Sequence, residues 1–214
     1  MLHSCFPTRL RQRAGYTLTE VAIVLALIGV ILAGVWTAAG VVNEKTRLSQ
    51  AVDQANIIAQ NMTAFLQSGY GVTNAPVNKT DITGIMITSG VIPPWAQTPP
   101  GGGTTGQNPW DQAGFHIWWV SASPREYRMS FYNIGSERGC IGLLAGLTSC
   151  TPGQPGCPVR VLTGGKSNNF TGGGTPTTTQ LSTTAMQGLC DPSVNNYSSN
   201  GNGNNNSVEF DFLN

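Results

Sequence analysis

Apolar positions dominate the first third of the chain, and their spacing changes partway along it. From Val21 to Val42 no side chain carries a charge, and about 20 apolar residues suffice for a helix to cross a bilayer. Beyond this run, apolar residues recur three and four positions apart, the spacing of one helix face, at Leu48, Val52, Ala55, Ala59, Met62 and Leu66. Gln54 and other polar residues are expected on the opposite faces, and Gly69 and Gly71 end the pattern. We predict one helix from about Thr17 to Ser68, apolar all round in its first half and with one apolar stripe in its second.

The rest of the chain mixes short strand and helix patterns. Phe115–Val120 is rich in strand-forming residues and Tyr127–Ile134 follows after a Ser-Pro turn, so the two are predicted to form a hairpin. Val208–Phe212 alternates strictly, which predicts a final strand with its apolar side chains facing inward. Asp81–Ile92 is expected to be a short helix or turn, and Cys140–Leu147 a short helix. These elements together predict an α+β fold.

Three other stretches are expected to lack regular structure. Asn108–Asp111 contains Asn-Pro and predicts a turn before the first strand of the hairpin. Thr163–Thr184 is rich in Gly and Thr, Asn195–Ser207 is rich in Gly and Asn, and both are predicted to be loops.

Composition and charge narrow the possible functions. Only 10% of the 214 residues are charged. Three of the basic residues are arginines within residues 1–15, and the rest of the chain has 8 basic against 10 acidic side chains. The chain therefore lacks the excess of positive charge that is typical of nucleic-acid binding. Past the apolar run about 170 residues remain, which is enough for one globular domain with its own core.

The cysteines indicate an oxidising compartment. Cys5 precedes the apolar run, whereas Cys140, Cys150, Cys157 and Cys190 all follow it. An even number permits two disulfides, and spacing alone leaves three pairings open. A zinc site is the competing interpretation, but there is no Cys-x-x-Cys pair and the remaining histidine, His116, is distant in sequence. We therefore expect two disulfides and no metal site.

Signatures of catalysis are poorly represented. His116 lies within a predicted strand between aromatic residues, where a partly buried strand residue is expected. The sequence contains no Gly-x-Ser-x-Gly, His-Glu-x-x-His or phosphate-loop pattern. We expect no enzyme activity and no cofactor.

The start of the chain carries its most specific motif. Three arginines precede Gly15. The next residue is aromatic, Tyr16, and Glu20 lies four residues after Tyr16, at the edge of the apolar run. A secretory signal instead has its apolar region before the cut and is discarded whole. An uncleaved signal anchor, with Gly15 and Glu20 present by chance, is the alternative. The motif resembles the start of a type IV prepilin.

This resemblance implies how the N-terminus is processed and used. A prepilin peptidase would cut between Gly15 and Tyr16, the Tyr16 amine would be N-methylated, and Glu20 would act in assembly. The leader arginines would keep the N-terminus in the cytoplasm, so the precursor would be a single-pass inner-membrane protein that later joins an extracellular filament.

The implied organisation has four parts. Residues 1–15 form the leader, 16–42 the transmembrane and assembly half of the long helix, 43–69 its amphipathic half, and 70–214 the globular head. The implied fold is that of type IV pilins: a long N-terminal helix packed on an antiparallel β-sheet, with a disulfide-bonded C-terminal region.

The head resembles type IVb pilins, in particular the PilS family of thin conjugative-pilus subunits. The matching features are Gly90–Pro93, the Asn108-Pro109-Trp110 turn, the strand Arg125–Asn133 leading to Cys140, and the closing strand Val208–Phe212 after a late cysteine. Tyr16 departs from that family, which more often starts its mature chain with Met, Leu or Phe. The family's pattern implies a Cys140–Cys190 disulfide, leaving Cys150–Cys157 to close a short loop rich in Pro and Gly.

The resemblance implies a structural subunit, the major pilin of a type IVb pilus, acting in conjugation or adhesion. Its partners would be other copies of itself, the prepilin peptidase, the inner-membrane assembly platform and, before assembly, the membrane. A type II secretion pseudopilin or a minor pilin is the alternative within the same class. A monomeric membrane-anchored binding protein is the alternative from another class.

Overall fold

The computed structural model describes residues 16–68, 80–98, 105–112, 114–122, 125–151, 154, 156–163, 166–169, 181–191 and 207–213. The predicted leader, with Gly15, lies outside these residues. The chain divides into two units, Met1–Asn43 and Glu44–Asn214, and each is described by itself.

The long helix predicted from the apolar pattern is present as α1, Leu18–Gln67. Within the second unit its buried side chains are Ala51, Gln54, Ala55, Ile58, Ala59, Met62 and Leu66. This confirms the predicted stripe, to which Leu48, Val52 and Phe65 add partly buried contacts. Gln54 contradicts its expected polar position: it is 2% exposed, because its Nε2 donates a hydrogen bond to the Gln107 carbonyl at 2.7 Å.

The stripe of α1 packs in one core with a six-stranded antiparallel sheet of order β1-β2-β3-β6-β4-β5. The strands are β1 (Thr80–Asp81), β2 (Phe115–Ala122), β3 (Arg125–Tyr132), β4 (Pro158–Thr163), β5 (Lys166–Asn169) and β6 (Ser207–Leu213). The predicted hairpin is formed by β2 and β3, although its turn residues Ser123 and Pro124 lie outside the described residues. The predicted final strand is β6, and its inward side chains Val208, Phe210 and Phe212 are all buried.

The last strand of the chain occupies the middle of the sheet. β6 pairs with β3 on one side and with β4 on the other. The two parts of the sheet formed by residues 80–132 and 158–169 are therefore joined through residues 207–213, and the C-terminal segment is a structural part of the head.

The predicted loop Thr163–Thr184 is wrong in part. Thr163 ends β4, Lys166–Asn169 forms β5 beside it, and Thr183 begins a helix, α4, that runs to Leu189; residues 170–180 lie outside the described residues. β5 has a polar sequence because it is an edge strand, which needs backbone partners more than a buried face. Likewise Thr80–Asp81 forms β1 before the predicted helix, which is α2, Thr83–Thr88.

Helix α3, Glu137–Leu147, extends the predicted short helix and packs closely on α1 in the second unit. A Cβ added at Gly146 would lie 2.5 Å from Val52 Cγ2, and one at Gly142 would collide with Leu48. Ser136 caps α3 by accepting a hydrogen bond from the Gly139 amide at 3.0 Å, while its hydroxyl donates to Glu44 Oε1 at 2.7 Å. Gly142 and Gly146 therefore allow α3 to lie closer to α1 than larger residues would permit.

Candidate functional site

The N-terminus of α1 holds the residues that the sequence motif singles out. Tyr16 precedes the helix and is 87% exposed. Thr17 and Glu20 form a reciprocal capping box: the Thr17 amide donates to Glu20 Oε2 at 2.9 Å, and the Glu20 amide donates to Thr17 Oγ1 at 3.3 Å. The Thr17 hydroxyl also donates to Glu20 Oε2, at 3.0 Å. Glu20 thus satisfies two donors of its own helix end.

The capping box leaves the charge of Glu20 uncompensated. Its hydrogen-bond partners in the first turn are a neutral amide and a neutral hydroxyl, and no ion pair of Glu20 occurs among the described residues. A carboxylate that stays ionised on moving from water into an apolar surrounding needs a cation beside it, since an unpaired buried charge is strongly unfavourable. The cap alone therefore does not equip Glu20 for burial.

The apolar run after Glu20 is exposed along its length. Every residue from Val21 to Asn43 is classed as exposed, including Ile23 at 68%, Val30 at 73% and Trp36 at 77%. The helix is long and apolar enough to cross a membrane, judged by length and composition. A Cβ at Gly29, Gly34 or Gly40 would meet nothing within 4 Å. The structure of the first unit thus supplies no packing reason for these glycines, although small residues do allow other helices to approach closely.

Two disulfides lie in the C-terminal region. Cys140 of α3 is joined to Cys190 after α4, across 50 residues, and Cys150 is joined to Cys157 across 7 residues. The same two pairs are implied by the resemblance of the head to PilS-type pilins, whereas cysteine spacing alone left three pairings open. Cys140 and Cys190 are 1% and 0% exposed, so this bond belongs to the core, whereas Cys150 is partly exposed.

A second group of charged residues, which sequence reasoning missed, covers the outward face of the sheet. Asp211 of β6 lies in register with Arg128 of β3 and Arg160 of β4. Arg128 binds it through two nitrogens, Nε at 2.5 Å and Nη2 at 3.0 Å, and Arg160 Nη1 donates to it at 3.2 Å. Arg128 Nη1 also donates to Glu209 Oε2 at 2.9 Å. As a result Asp211 is fully buried although it belongs to the outward face.

The carboxylates outnumber the guanidinium groups in this cluster, and the pKa directions reflect it. Burial raises the pKa of Glu126, and the charge of Asp211 raises it further against the attraction of Arg160. Burial also raises the pKa of Glu209 despite Arg128. For Arg128, burial acts in the opposite direction but is outweighed by Asp211, so its pKa is raised. The geometry agrees with these directions: both arginines donate hydrogen bonds to Asp211, whereas Glu126 Oε1 lies 3.6 Å from Arg160 Nη1.

His116 is a partly buried strand residue, as its sequence context suggests. Its Nδ1 lies 2.8 Å from Asp81 Oδ2, and its ring contacts Trp118 and Tyr132. Burial opposes the ionisation of Asp81, but hydrogen bonds from His116 and Thr83 outweigh it and lower the pKa of Asp81. The pair fixes the orientation of the imidazole between two aromatic rings.

The N-terminal segment of the chain matches a known family. Residues 10–36 match the family described as the Prokaryotic N-terminal methylation motif, and a search of curated proteins finds no match. The matched segment contains Gly15, Tyr16 and Glu20 together with Val21–Trp36, the larger part of the exposed apolar run. The motif indicates a type IV pilin or a pseudopilin-like protein, and the observed fold is that of type IV pilins. Motif and fold together point to a structural subunit that is processed by a prepilin peptidase and polymerises.

Proposed function

We propose that the chain is the major pilin of a type IVb pilus, anchored in the inner membrane as a precursor and then assembled into an extracellular filament. The observation that carries this proposal is the exposed, uncharged apolar half of α1 directly after the N-terminal methylation motif. Such a surface is stable in a bilayer or against other helices. A subunit that leaves the membrane for a filament must therefore bury it against further copies of the same helix.

Processing would create the partner that Glu20 lacks. A cut between Gly15 and Tyr16, followed by N-methylation, places a charged amine at the start of the mature chain. That amine can approach the Glu20 carboxylate of a neighbouring subunit when the helices pack side by side. The pair adds little net stability because desolvation offsets its Coulomb attraction, so its role is to fix the axial register of the subunits.

The proposed parts of the chain are a leader over 1–15, an assembly helix over 16–42, an amphipathic helix over 43–69 and a head over 70–214. The unit boundary at Asn43–Glu44 supports the division between the two helix halves. The partners are other subunits, the prepilin peptidase, the assembly platform and the membrane; no nucleic acid partner or cofactor is proposed. We assign the filament to conjugation or adhesion, on the resemblance to PilS-type heads.

A type II secretion pseudopilin and a minor pilin share the N-terminal motif and are the second candidates. The two disulfides favour the pilin, because the major pseudopilin usually lacks them. A monomeric membrane-anchored binding protein is the candidate from another class. Glycines that face open space along the first half of α1 permit close helix packing and favour the pilin, although glycine is also common in helices that only anchor a protein.

Electron microscopy of sheared surface fractions separates these candidates. A strain that expresses this chain without other pilins should shed filaments that an antibody against the head decorates along their whole length. Decoration only at filament tips indicates a minor pilin, and recovery of the chain only in membranes indicates an anchored monomer. Gly15→Val, which should block the peptidase cleft, should leave uncut precursor in the membrane and no filaments.

A further inference from the structure

A cleft of about 230 Å³ opens on the outward face of the sheet. Its lining comes from three neighbouring strands: Trp118 and Val120 of β2, Arg128 and Tyr132 of β3, and Glu209 of β6. This face is opposite the one that packs against the buried stripe of α1 in the second unit. Ligand pockets for drug-sized molecules start at about 300 Å³, and this cleft therefore suits one small ring.

The aromatic wall of the cleft is fixed by contacts behind it. The His116 ring stacks near Trp118 with centroids 6.0 Å apart and meets Tyr132 edge-on at 5.4 Å. The 2.8 Å contact between His116 and Asp81 fixes the imidazole in turn. A wall that is already ordered loses little side-chain entropy when a ligand stacks on it.

The polar side of the cleft offers both donors and acceptors. Arg128 and Glu209 are 22% and 17% exposed and joined at 2.9 Å. A guanidinium has five N–H groups, and three of those of Arg128 are directed at Asp211 and Glu209. Among the described residues this leaves two donors beside a carboxylate. Burial and the adjacent Glu209 charge raise the pKa of Tyr132, and its hydroxyl is already hydrogen-bonded to Glu209.

Charge compensation within the cleft selects against anionic ligands. The positive charge of Arg128 is already opposed by Asp211 and Glu209, which weakens any attraction for a phosphate or a carboxylate. A neutral ring with one apolar face and several hydroxyls matches both sides of the cleft, since carbon-bound hydrogens pack on aromatic faces and hydroxyls pair with charged groups.

We propose that this cleft binds one neutral sugar residue of a glycan, stacked on Trp118 and hydrogen-bonded to Arg128 and Glu209. The proposal rests on the head and does not depend on polymerisation. It adds a recognition site to a chain whose proposed function is structural.

Saturation-transfer NMR on the detergent-solubilised full chain tests the proposal. The probes are the methyl glycosides of glucose, galactose, mannose and N-acetylglucosamine. At least one should receive saturation, strongest at the protons of one ring face. Trp118→Ala should weaken binding about tenfold or more, because loss of the stacking surface removes a large part of the free energy of a weak complex.

Two further variants distinguish loss of the site from loss of the fold. Val120→Trp fills the cleft without removing a polar group and should also abolish transfer. Trp95→Ala, at a tryptophan that is 52% exposed and does not line the cleft, should leave it unchanged. Circular dichroism and retention of both disulfides establish that each variant is folded.

The following results of the NMR experiment would overturn the proposed sugar site. Absence of transfer to all four glycosides overturns the proposal, as does equal transfer in wild type, Trp118→Ala and Val120→Trp. Transfer to indole or to N-acetylneuraminic acid, but to no neutral sugar, would show that the cleft takes an aromatic group or an anion and that the assignment of a sugar is wrong.

Discussion

The two units of this chain differ in the solvent exposure of their apolar residues. In the first unit Ile31 is 57% exposed, and its neighbours from Val21 to Asn43 are all exposed. In the second unit Ile58, on the same helix, is fully buried against the sheet. Charge shows the same contrast: within the described residues the donors to Glu20 are neutral, whereas the buried Asp211 has two arginines.

This difference indicates which part of the chain depends on something outside itself. The head buries its apolar side chains, compensates its buried carboxylate and contains both disulfides. Among its described residues, the first unit leaves its apolar side chains exposed and gives Glu20 no ion pair, although exposed apolar surface is costly in water. Substitutions in the head should therefore change stability, and substitutions in the first unit should change assembly.

The largest effect is expected at Glu20. Glu20→Ala removes both the charge and the cap, whereas Glu20→Gln removes the charge but retains an acceptor for the Thr17 amide, since glutamine also completes a capping box. If the charge sets the register, neither variant should build filaments in a strain without other pilins, although both are exported, anchored and cut at Gly15. Electron microscopy and immunoblots of membrane fractions provide the two readouts.

The pair of Glu20 variants also separates capping from pairing. Normal filaments from Glu20→Gln together with none from Glu20→Ala would assign Glu20 to the helix cap alone. Normal filaments from both would show that neither role is needed.

The disulfides should differ in their effect on the head. Loop-closure entropy predicts that the Cys140–Cys190 bond, which closes 50 residues, stabilises by about 4 kcal/mol, and that the Cys150–Cys157 bond, which closes 7, stabilises by about 2 kcal/mol. Cys190→Ser should therefore lower the amount of folded subunit, measured on immunoblots, far more than Cys150→Ser. Peptide mapping that finds Cys140 joined to Cys150 in the wild type would contradict the assignment.

A matched pair of isoleucines compares the two units directly. Ile58→Ala should lower the free energy of unfolding of the head by about 2–5 kcal/mol, because it opens a cavity in a packed core. Ile31→Ala should leave thermal unfolding of the detergent-solubilised chain unchanged and instead make filaments easier to shear. Equal destabilisation by the two variants would mean that the first unit packs on its own head.

The smallest effect is expected at Glu126, whose Oε1 lies 3.6 Å from Arg160 without a hydrogen bond and close to Asp211. Its pKa in the folded protein is raised above the ordinary 4.5, so its ionised form destabilises the fold at neutral pH. Glu126→Gln should stabilise by about 1 kcal/mol at pH 7, since an amide can donate to Asp211.

The stabilisation expected for Glu126→Gln should depend on pH. The gain should shrink as pH falls through the raised pKa toward 4.5, where wild-type Glu126 is protonated as well. Asp53→Asn, at an exposed position on α1, is the matched control and should show no such gain. A loss of stability in Glu126→Gln at pH 7 would refute the argument.

Sequence patterns were sufficient to predict the buried face of an element when the apolar residues of that element repeat with the period of a helix or a strand. The stripe on α1 and the alternation in Val208–Phe212 locate buried faces because helix and strand repeats differ. They were insufficient where the partner is distant: Arg128 and Asp211 are 83 residues apart, and each alone resembles a solvent-facing strand residue. The central position of β6 and the polar edge strand β5 depend on pairing in the same way.

One missed feature of the candidate site was visible in the sequence. Thr17-x-x-Glu20 is the signature of a capping box before an apolar run, yet the pilin-like spacing of Glu20 alone suggested its role in assembly. The structure adds the local role, and the Glu20→Gln variant is the means of weighing the two.

The central claim is that the first unit is completed by other copies of this chain after its leader is removed. The intact mass of the subunit in sheared, purified filaments tests it most directly. The account predicts a chain that starts at Tyr16, carries one added methyl group and contains two disulfides. Filaments built from chains that still begin at Met1 would contradict it.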